Sequence, residues 1–308
     1  MATNYSTILN NVCILSKETQ PSTFASTAEP YPELKKYIVD VLGDICQTHD
    51  WTFLERSYDL STVSGTREYS LPGDLELKNI LADGVRRASW TPPLYYVQDS
   101  ILDQTVLTSG APIRYSVFNN QLILDPTPDA AYTITIKYRT NYYAYAVTSV
   151  DADSASAQAQ LNIAATTGAE ANGYVLIGSG TARREEGRIS SFNASNYLTL
   201  SSNLAYTHTL AQADPVYISR DTLSDSTDIT LIPDRFIKAI EYGAAAAYRG
   251  NFRPDEKYAI LERKYQDYLK DLRASDGFGD DAYPSLVVGR NNKSANRMLI
   301  DSFRQAGR

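Results

Sequence analysis

Apolar residues recur at helical spacing near both ends of the chain and at a spacing of two through much of its middle. From Ser6 to Lys17, Ile8, Leu9, Val12 and Leu15 fall on one helical stripe. A loop rich in Ser, Thr and Pro (19–30) separates it from a second helix, Pro32 to about Thr48. There Leu34, Tyr37, Ile38, Val41, Leu42 and Ile45 share a face, with Pro32 in the first turn and Glu33 facing the positive helix end. The helical period returns at Pro233, where Phe236, Ile237, Ile240, Ala244, Ala247 and Tyr248 line up, and Gly250 is expected to close the helix. The stretch Gly243 to Ala247 has almost no side-chain bulk, so a neighbouring helix can come close. Pro254 opens a further helix to about Ala274. Its Tyr258, Leu261, Tyr265, Tyr268 and Leu272 alternate spacings of three and four, as in a heptad seam. That seam is too short for a free coiled coil and predicts packing within a bundle.

Between these helices the pattern predicts strands. Trp51, Phe53 and Leu54 lead into Ser57–Val63, a turn at Gly65 and Arg67–Leu71, which together predict a hairpin. Leu77–Leu81, Leu94–Val97, Ile113–Phe118, Gln121–Leu124 and Tyr132–Tyr138 are further strand candidates. Asn119-Asn120 reads as a tight turn, because Asn tolerates positive φ. The composition shifts between about Thr148 and Asp221: Ser149–Gln160 is small or polar throughout. Short alternating runs follow at Tyr174–Ile177, Gly187–Phe192, Tyr197–Leu200 and Pro215–Ile218. These predict a small β-sandwich or barrel inserted into a helical body. After Ser275 a connector containing Gly277, Gly279, Asp280, Asp281 and Pro284 leads to a basic segment.

The fold class expected is therefore α+β. A helical-bundle body with β-hairpins takes residues 1–147 and 222–275. The small β domain occupies 148–221, and an extended C-terminal tail covers 276–308. Within that tail Leu286, Val287, Val288, Met298, Leu299, Ile300 and Phe303 alternate with Arg290, Lys293, Arg297, Arg304 and Arg308, against the single acid Asp301. A frayed terminus normally lacks such anchors, so the segment is expected to dock on a partner.

Charge narrows the functional classes. A net charge of −7 argues against a surface that grips phosphate backbones, although DNA could still pass it without sticking. Met1 to Lys17 shows no basic stretch before an apolar core, so no secretion signal is expected, and no apolar run approaches the roughly 20 residues of a membrane span. Cys13 and Cys46 sit on apolar helical stripes and are expected to be buried free thiols, which suit a reducing cytoplasm. The 23 Tyr against 8 Phe leave two readings open, wet subunit interfaces or ordinary strand positions.

Catalytic chemistry finds few carriers. Of the 2 His, His49 ends a helix beside Trp51 and His208 lies in a polar loop, with no G-x-S-x-G elbow anywhere in the chain. The isolated cysteines lack zinc-ligand spacing. Gly178-Ser179-Gly180-Thr181 lacks the Gly-Lys ending of a phosphate loop, and Asp280-Asp281 lacks the surrounding acids of a calcium loop. Arg183-Arg184 beside Glu185-Glu186 reads as a solvated strand edge. No enzyme activity, cofactor or metal is expected.

Three groups of residues carry a likeness. Trp51-Thr52-Phe53-Leu54-Glu55 after a helix is followed by Thr66-Arg67-Glu68-Tyr69-Ser70-Leu71-Pro72. Leu231-Ile232-Pro233-Asp234 precedes the alanine run Ala244–Ala247. Gly187–Phe192 precedes Tyr197–Leu200. Together they resemble the head-to-tail adaptor (connector) proteins of short-tailed bacteriophages. The resemblance implies a virion protein assembled in the host cytoplasm. It would be a homo-oligomeric, typically dodecameric ring below the portal protein, above downstream tail or fibre proteins, and lining a channel that DNA crosses on ejection. It also implies that Leu286, Val287, Val288, Arg290, Arg297, Met298, Ile300, Phe303 and Arg304 bind the portal. Phe236, Ile240, Ala244, Ala247, Tyr258, Leu261, Tyr265, Tyr268 and Leu272 are the expected helix- or subunit-packing positions. The alternatives are another tail component (tail-tube, tail-terminator or fibre-attachment protein) or a carbohydrate-binding module. The last would use Tyr174, Tyr197, Tyr206 and Tyr217, of which Tyr174 and Tyr217 fit core packing better.

Overall fold

The computed structural model of the chain describes residues 3–88, 92–102, 108–193, 196–252 and 254–276. The fold is α+β, with 31% of the described residues in helix and 30% in strand. Helices α1 (Tyr5–Ser16) and α2 (Tyr31–Thr48) come first. Strands β1 (Glu55–Ser61), β2 (Glu68–Ser70), β3 (Ile80–Arg87) and β4 (Tyr95–Tyr96) follow, then the short helix α3 (Asp99–Leu102). Next are β5 (Ser109–Gly110), β6 (Arg114–Phe118), β7 (Gln121–Asp125), β8 (Thr127–Pro128), β9 (Thr133–Arg139) and β10 (Ala144–Ser149). Strands β11 (Gln160–Asn162), β12 (Tyr174–Ile177), β13 (Glu185–Asn193), β14 (Tyr197–Leu200), β15 (Pro215–Arg220) and β16 (Ile229–Thr230) precede helices α4 (Ile237–Phe252) and α5 (Glu256–Ser275). These elements fall into two compact units. The first takes the residues up to Leu54, Pro72–Asp74 and Asn141–Leu272, and the second takes Glu55–Leu71 and Leu75–Thr140 together with the described residues after Leu272.

In the first unit the helices form where the periodicity predicts them. Ile8, Leu9 and Val12 of α1 and Leu34, Ile38, Leu42 and Ile45 of α2 are buried in one cluster with Ile237, Ile240 and Ala244 of α4. Asn4 caps α1 by accepting from the Thr7 N–H, and Lys17 closes it at φ 59°. Helix α2 lacks a left-handed cap, since His49 is extended. Its last turn is closed by a side chain instead: the buried Trp51 indole donates to the Ile45 carbonyl at 2.6 Å. Both cysteines are free and buried, and burial pushes the Cys13 thiol up to about 11.

The β residues of this unit form one sheet in the order β11-β14-β13-β12-β15-β10-β16. It curls on itself. Val150 bridges to Ile163, and the Ala164 N–H donates to the Ser149 carbonyl at 2.9 Å, so the chain just beyond β10 meets the chain just beyond β11. Six strands thereby enclose a small barrel, filled by Leu161, Ile163, Val175, Ile177, Ile189, Leu198, Val216 and Ile218. Alternate residues of the same strands point outward, and Tyr145, Tyr174 and Tyr217 join the helical cluster. Strands covered on both faces carry continuous apolar runs, which is why Tyr174-Val175-Leu176-Ile177 shows no polar alternation.

The division drawn from sequence, a body of 1–147 and 222–275 around an insert of 148–221, follows different lines from these units. The composition shift near Thr148 falls inside β10, and β16 belongs to the same sheet as the barrel strands. Barrel strands and helices share one compact unit because the barrel's outer tyrosines are part of the helical core.

The second unit contains a three-stranded sheet (β1-β9-β3), a four-stranded sheet (β2-β7-β6-β4) and the pair β5-β8. Tyr58, Val85, Ile134, Ile136 and Tyr138 from the first sheet share a core with Tyr115, Leu122 and Leu124 from the second. The expected hairpin across Gly65 is not formed. Gly65 turns the chain at φ 79°, but Tyr58 pairs with Ile136 and Tyr69 with Leu122, in different sheets. The Asn119-Asn120 turn does form, at φ 49° and 57°, and joins β6 to β7 as predicted. Leu77–Asn79, expected as strand, is a turn of 3-10 helix before β3.

Candidate functional site

The residues expected to pack helices gather around α4. Phe236, Ile240 and Ala244 are buried and Ala247 is half-buried, so this face is occupied by the unit's own helices. On α5, Leu261 and Leu272 are buried, while Tyr265 and Tyr268 are half-buried against the cluster, Tyr268 stacking on Tyr242 at 5.4 Å. Tyr258 is 37% exposed yet lays its ring against Gly250 of α4, and Leu269 is buried in addition to the expected positions. Gly250 does not end α4, which continues to Phe252. A side chain at Gly250 would come within 3.0 Å of the Tyr258 ring, so the missing Cβ admits that ring.

Gly243 is the tightest point of the helix contact. A Cβ there would lie 2.7 Å from Val41 Cγ1 of α2 and 2.9 Å from the Tyr265 ring of α5. Gly243→Ala is therefore expected to destabilise the unit by about 1–3 kcal/mol despite alanine's better helix propensity. Urea unfolding followed by circular dichroism checks this, and a stabilised variant would contradict the close approach.

Two charged residues on α4 were not anticipated. The spacing of four from Glu241 through Ala245 to Arg249 places all three along one line of the helix. Glu241, 1% exposed, accepts from Asn11 Nδ2 of α1 and Lys238 Nζ, both at 2.6 Å. Arg249 donates to the Ser16 carbonyl at 2.9 Å and pairs with Asp255. It thus satisfies the C-terminal end of α1 while fixing the turn into α5. A polar residue on an otherwise apolar line was the available signal.

A second polar cluster lies at the rim of the barrel, where the sequence reading expected solvated charges. His208 is fully buried, its Nδ1 2.8 Å from Asp214 Oδ2 and its Nε2 2.6 Å from Glu185 Oε1. Asp214 is also fully buried and accepts two bonds from Arg183, at 2.9 and 2.7 Å. The hydrogen-bonded Arg183 guanidinium holds the Asp214 carboxyl below the usual carboxylate range, against the opposing effect of burial. The two His208 nitrogens face opposite ways, so the carboxylates do not converge on one ion. Among the described residues no group of three His, Cys, Asp or Glu could hold a metal. Ser154 meets His208 through backbone hydrogen bonds, and its hydroxyl accepts from the Asn162 N–H rather than meeting the ring.

Of the four tyrosines expected to serve a sugar platform, Tyr174 is buried and Tyr217 half-buried in the helical core, Tyr197 is half-buried on β14 with its hydroxyl accepting from Asn193 Nδ2, and Tyr206 is exposed on the rim loop. Among the described residues no helix is long and apolar enough to cross a membrane. The expected docking residues Leu286, Val287, Val288, Arg290, Arg297, Met298, Ile300, Phe303 and Arg304 lie outside the described residues, as do Asp280 and Asp281.

A comparison with curated proteins found no match. A comparison with family models matched residues 3–166, which span α1, α2, strands β1 to β9 of the second unit and the first two barrel strands, to the SU10 adaptor protein. With more than half of its length matched, the chain belongs to the SU10 adaptor protein family.

Proposed function

We propose that this chain forms a ring between the portal and the tail of a short-tailed phage, with residues 276–308 of each subunit docking on the portal. Family membership is the observation that carries the reading: the chain is a phage structural adaptor, a virion component that contacts other capsid or tail parts. The finer assignment is supported by the tail's composition. Burying anchors such as Leu286, Met298, Ile300 and Phe303 contributes about 1.5–3 kcal/mol each before ordering costs. Repetition around a ring converts modest single-tail affinity into avidity. A net charge of −7 suits a channel wall that does not retain passing DNA, because like charge opposes adhesion.

Electron microscopy of the protein mixed with its portal tests the proposal, with rings seated on the portal as the expected result. Deleting residues 285–308 should leave a folded body that no longer co-sediments with portal. Undiminished portal binding by the truncated chain would overturn the docking role. Association with distal tail or fibre proteins alone would place the chain elsewhere in the tail.

A further inference from the structure

We propose that the barrel's rim loop from Leu204 to Asp214 is a proton-controlled clamp, held closed while the His208 ring carries both of its protons and released when it loses one. The coupling rests on the ring's position between two carboxylates. An ionised carboxylate only accepts hydrogen bonds, so contacts at 2.8 Å to Asp214 and 2.6 Å to Glu185 can both be donated only by an imidazolium. Loss of one proton to solvent, with no other bond made or broken, leaves a bare ring nitrogen against a carboxylate oxygen.

The side that gives way is set by the other partners. Asp214 keeps its two bonds from Arg183 and so retains the Nδ1–H contact. Glu185, on β13, also accepts the backbone N–H groups of Ala205 and Tyr206, at 2.8 and 3.4 Å. Losing its bond to the ring therefore loosens the start of the loop. The remaining ties come from the connection between β10 and β11. His208 and Ser154 exchange backbone bonds at 2.9 and 2.8 Å, and the Asp153 carboxylate accepts the Leu210 N–H at 2.9 Å. Among the described residues, Glu185, Asp214, Arg183 and Asp153 are the charged groups bonded to the ring, its partners or its loop. The loop presents Tyr206, 43% exposed, and Leu210, 58% exposed. The ring's charge state decides whether these two apolar side chains are offered in a fixed arrangement. This device stands independently of ring assembly and portal docking.

The test uses the full chain. Nitrogen NMR follows the protonation of the His208 ring from about pH 5 to about pH 9, and hydrogen exchange follows the Ala205 and Tyr206 amides over the same range. The expected result is that amide protection, corrected for intrinsic exchange, falls about tenfold or more in step with the ring's loss of a proton. Protection that stays constant through that step overturns the clamp, as does a ring that is singly protonated throughout. In His208→Gln the pH dependence of protection should disappear. Should that variant not fold, Glu185→Gln serves instead: removing one of the flanking negative charges should move the ring and loop midpoints down together. A loop midpoint that stays put while the ring's moves would refute the coupling.

Discussion

Replacing Trp51 with alanine is expected to cost the helical unit about 3–5 kcal/mol, a large part of the stability of an ordinary domain. The indole is fully buried, stacks on Phe53 at 5.5 Å and meets the His49 ring edge-on at 4.5 Å. Its N–H also closes the last turn of α2 through the Ile45 carbonyl. Alanine would leave a cavity and remove that closure at once. Trp51→Phe separates the two contributions: it keeps most of the ring contact, and its cost of about 1–2 kcal/mol would measure the lost hydrogen bond with some lost volume. Denaturant unfolding monitored by helical circular dichroism reads both variants. A loss below about 1 kcal/mol for Trp51→Ala would mean that the site collapses around the gap.

Asp214→Ala is expected to cost about 3 kcal/mol, concentrated in the barrel. The carboxylate is the shared acceptor of His208 and Arg183, and its removal leaves Nδ1 of the buried imidazole without this partner. Arg183 is partly exposed and can return to water, which keeps the effect at the lower end of the range for a broken buried pair. The pH dependence has a definite sign. The folded-state value of Asp214 is depressed, so its contribution is complete at neutral pH and is lost as pH falls through that value. Barrel stability should decline on acidification in the parent chain, and less steeply in the variant. Hydrogen exchange of β13 and β15 amides at neutral and acid pH would show it. Equal acid sensitivity in both proteins would assign the effect to other carboxylates.

The four long helices were legible because a period of 3.6 is a local property. The stripes in α1, α2, α4 and α5 match the buried positions closely, with Gly250 misread as a helix end at the α4–α5 junction. There the deciding contact is one ring resting on a residue that lacks a Cβ. Strand positions were also largely visible, and Asn119-Asn120 marked its turn. Strand partners were not: alternation says which residues share a face but not which strand lies alongside. Hence β1 and β2, adjacent in sequence, sit in different sheets, and β5, β8, β10, β11 and β16 were not among the expected strands. Of the charged run 183–186, Arg184 and Glu186 are exposed as expected, whereas Arg183 and Glu185 are drawn to Asp214 and His208, because composition carries no information about a histidine 23 residues away that needs an acceptor.

By itself, then, the sequence determined the α+β class, the course of the four long helices and the resemblance to phage adaptors that the family match supports. Each rests on local periodicity or on contiguous motifs. Only the tertiary structure decided that the strands of 144–220 curl into a barrel sharing a core with the helices. It also decided that Glu241 and Arg249 tie α4 to α1, and that His208 is buried between two carboxylates. Those features depend on pairing between residues far apart in the chain, where the free-energy cost of burying a polar group dictates that it find a partner but not which one.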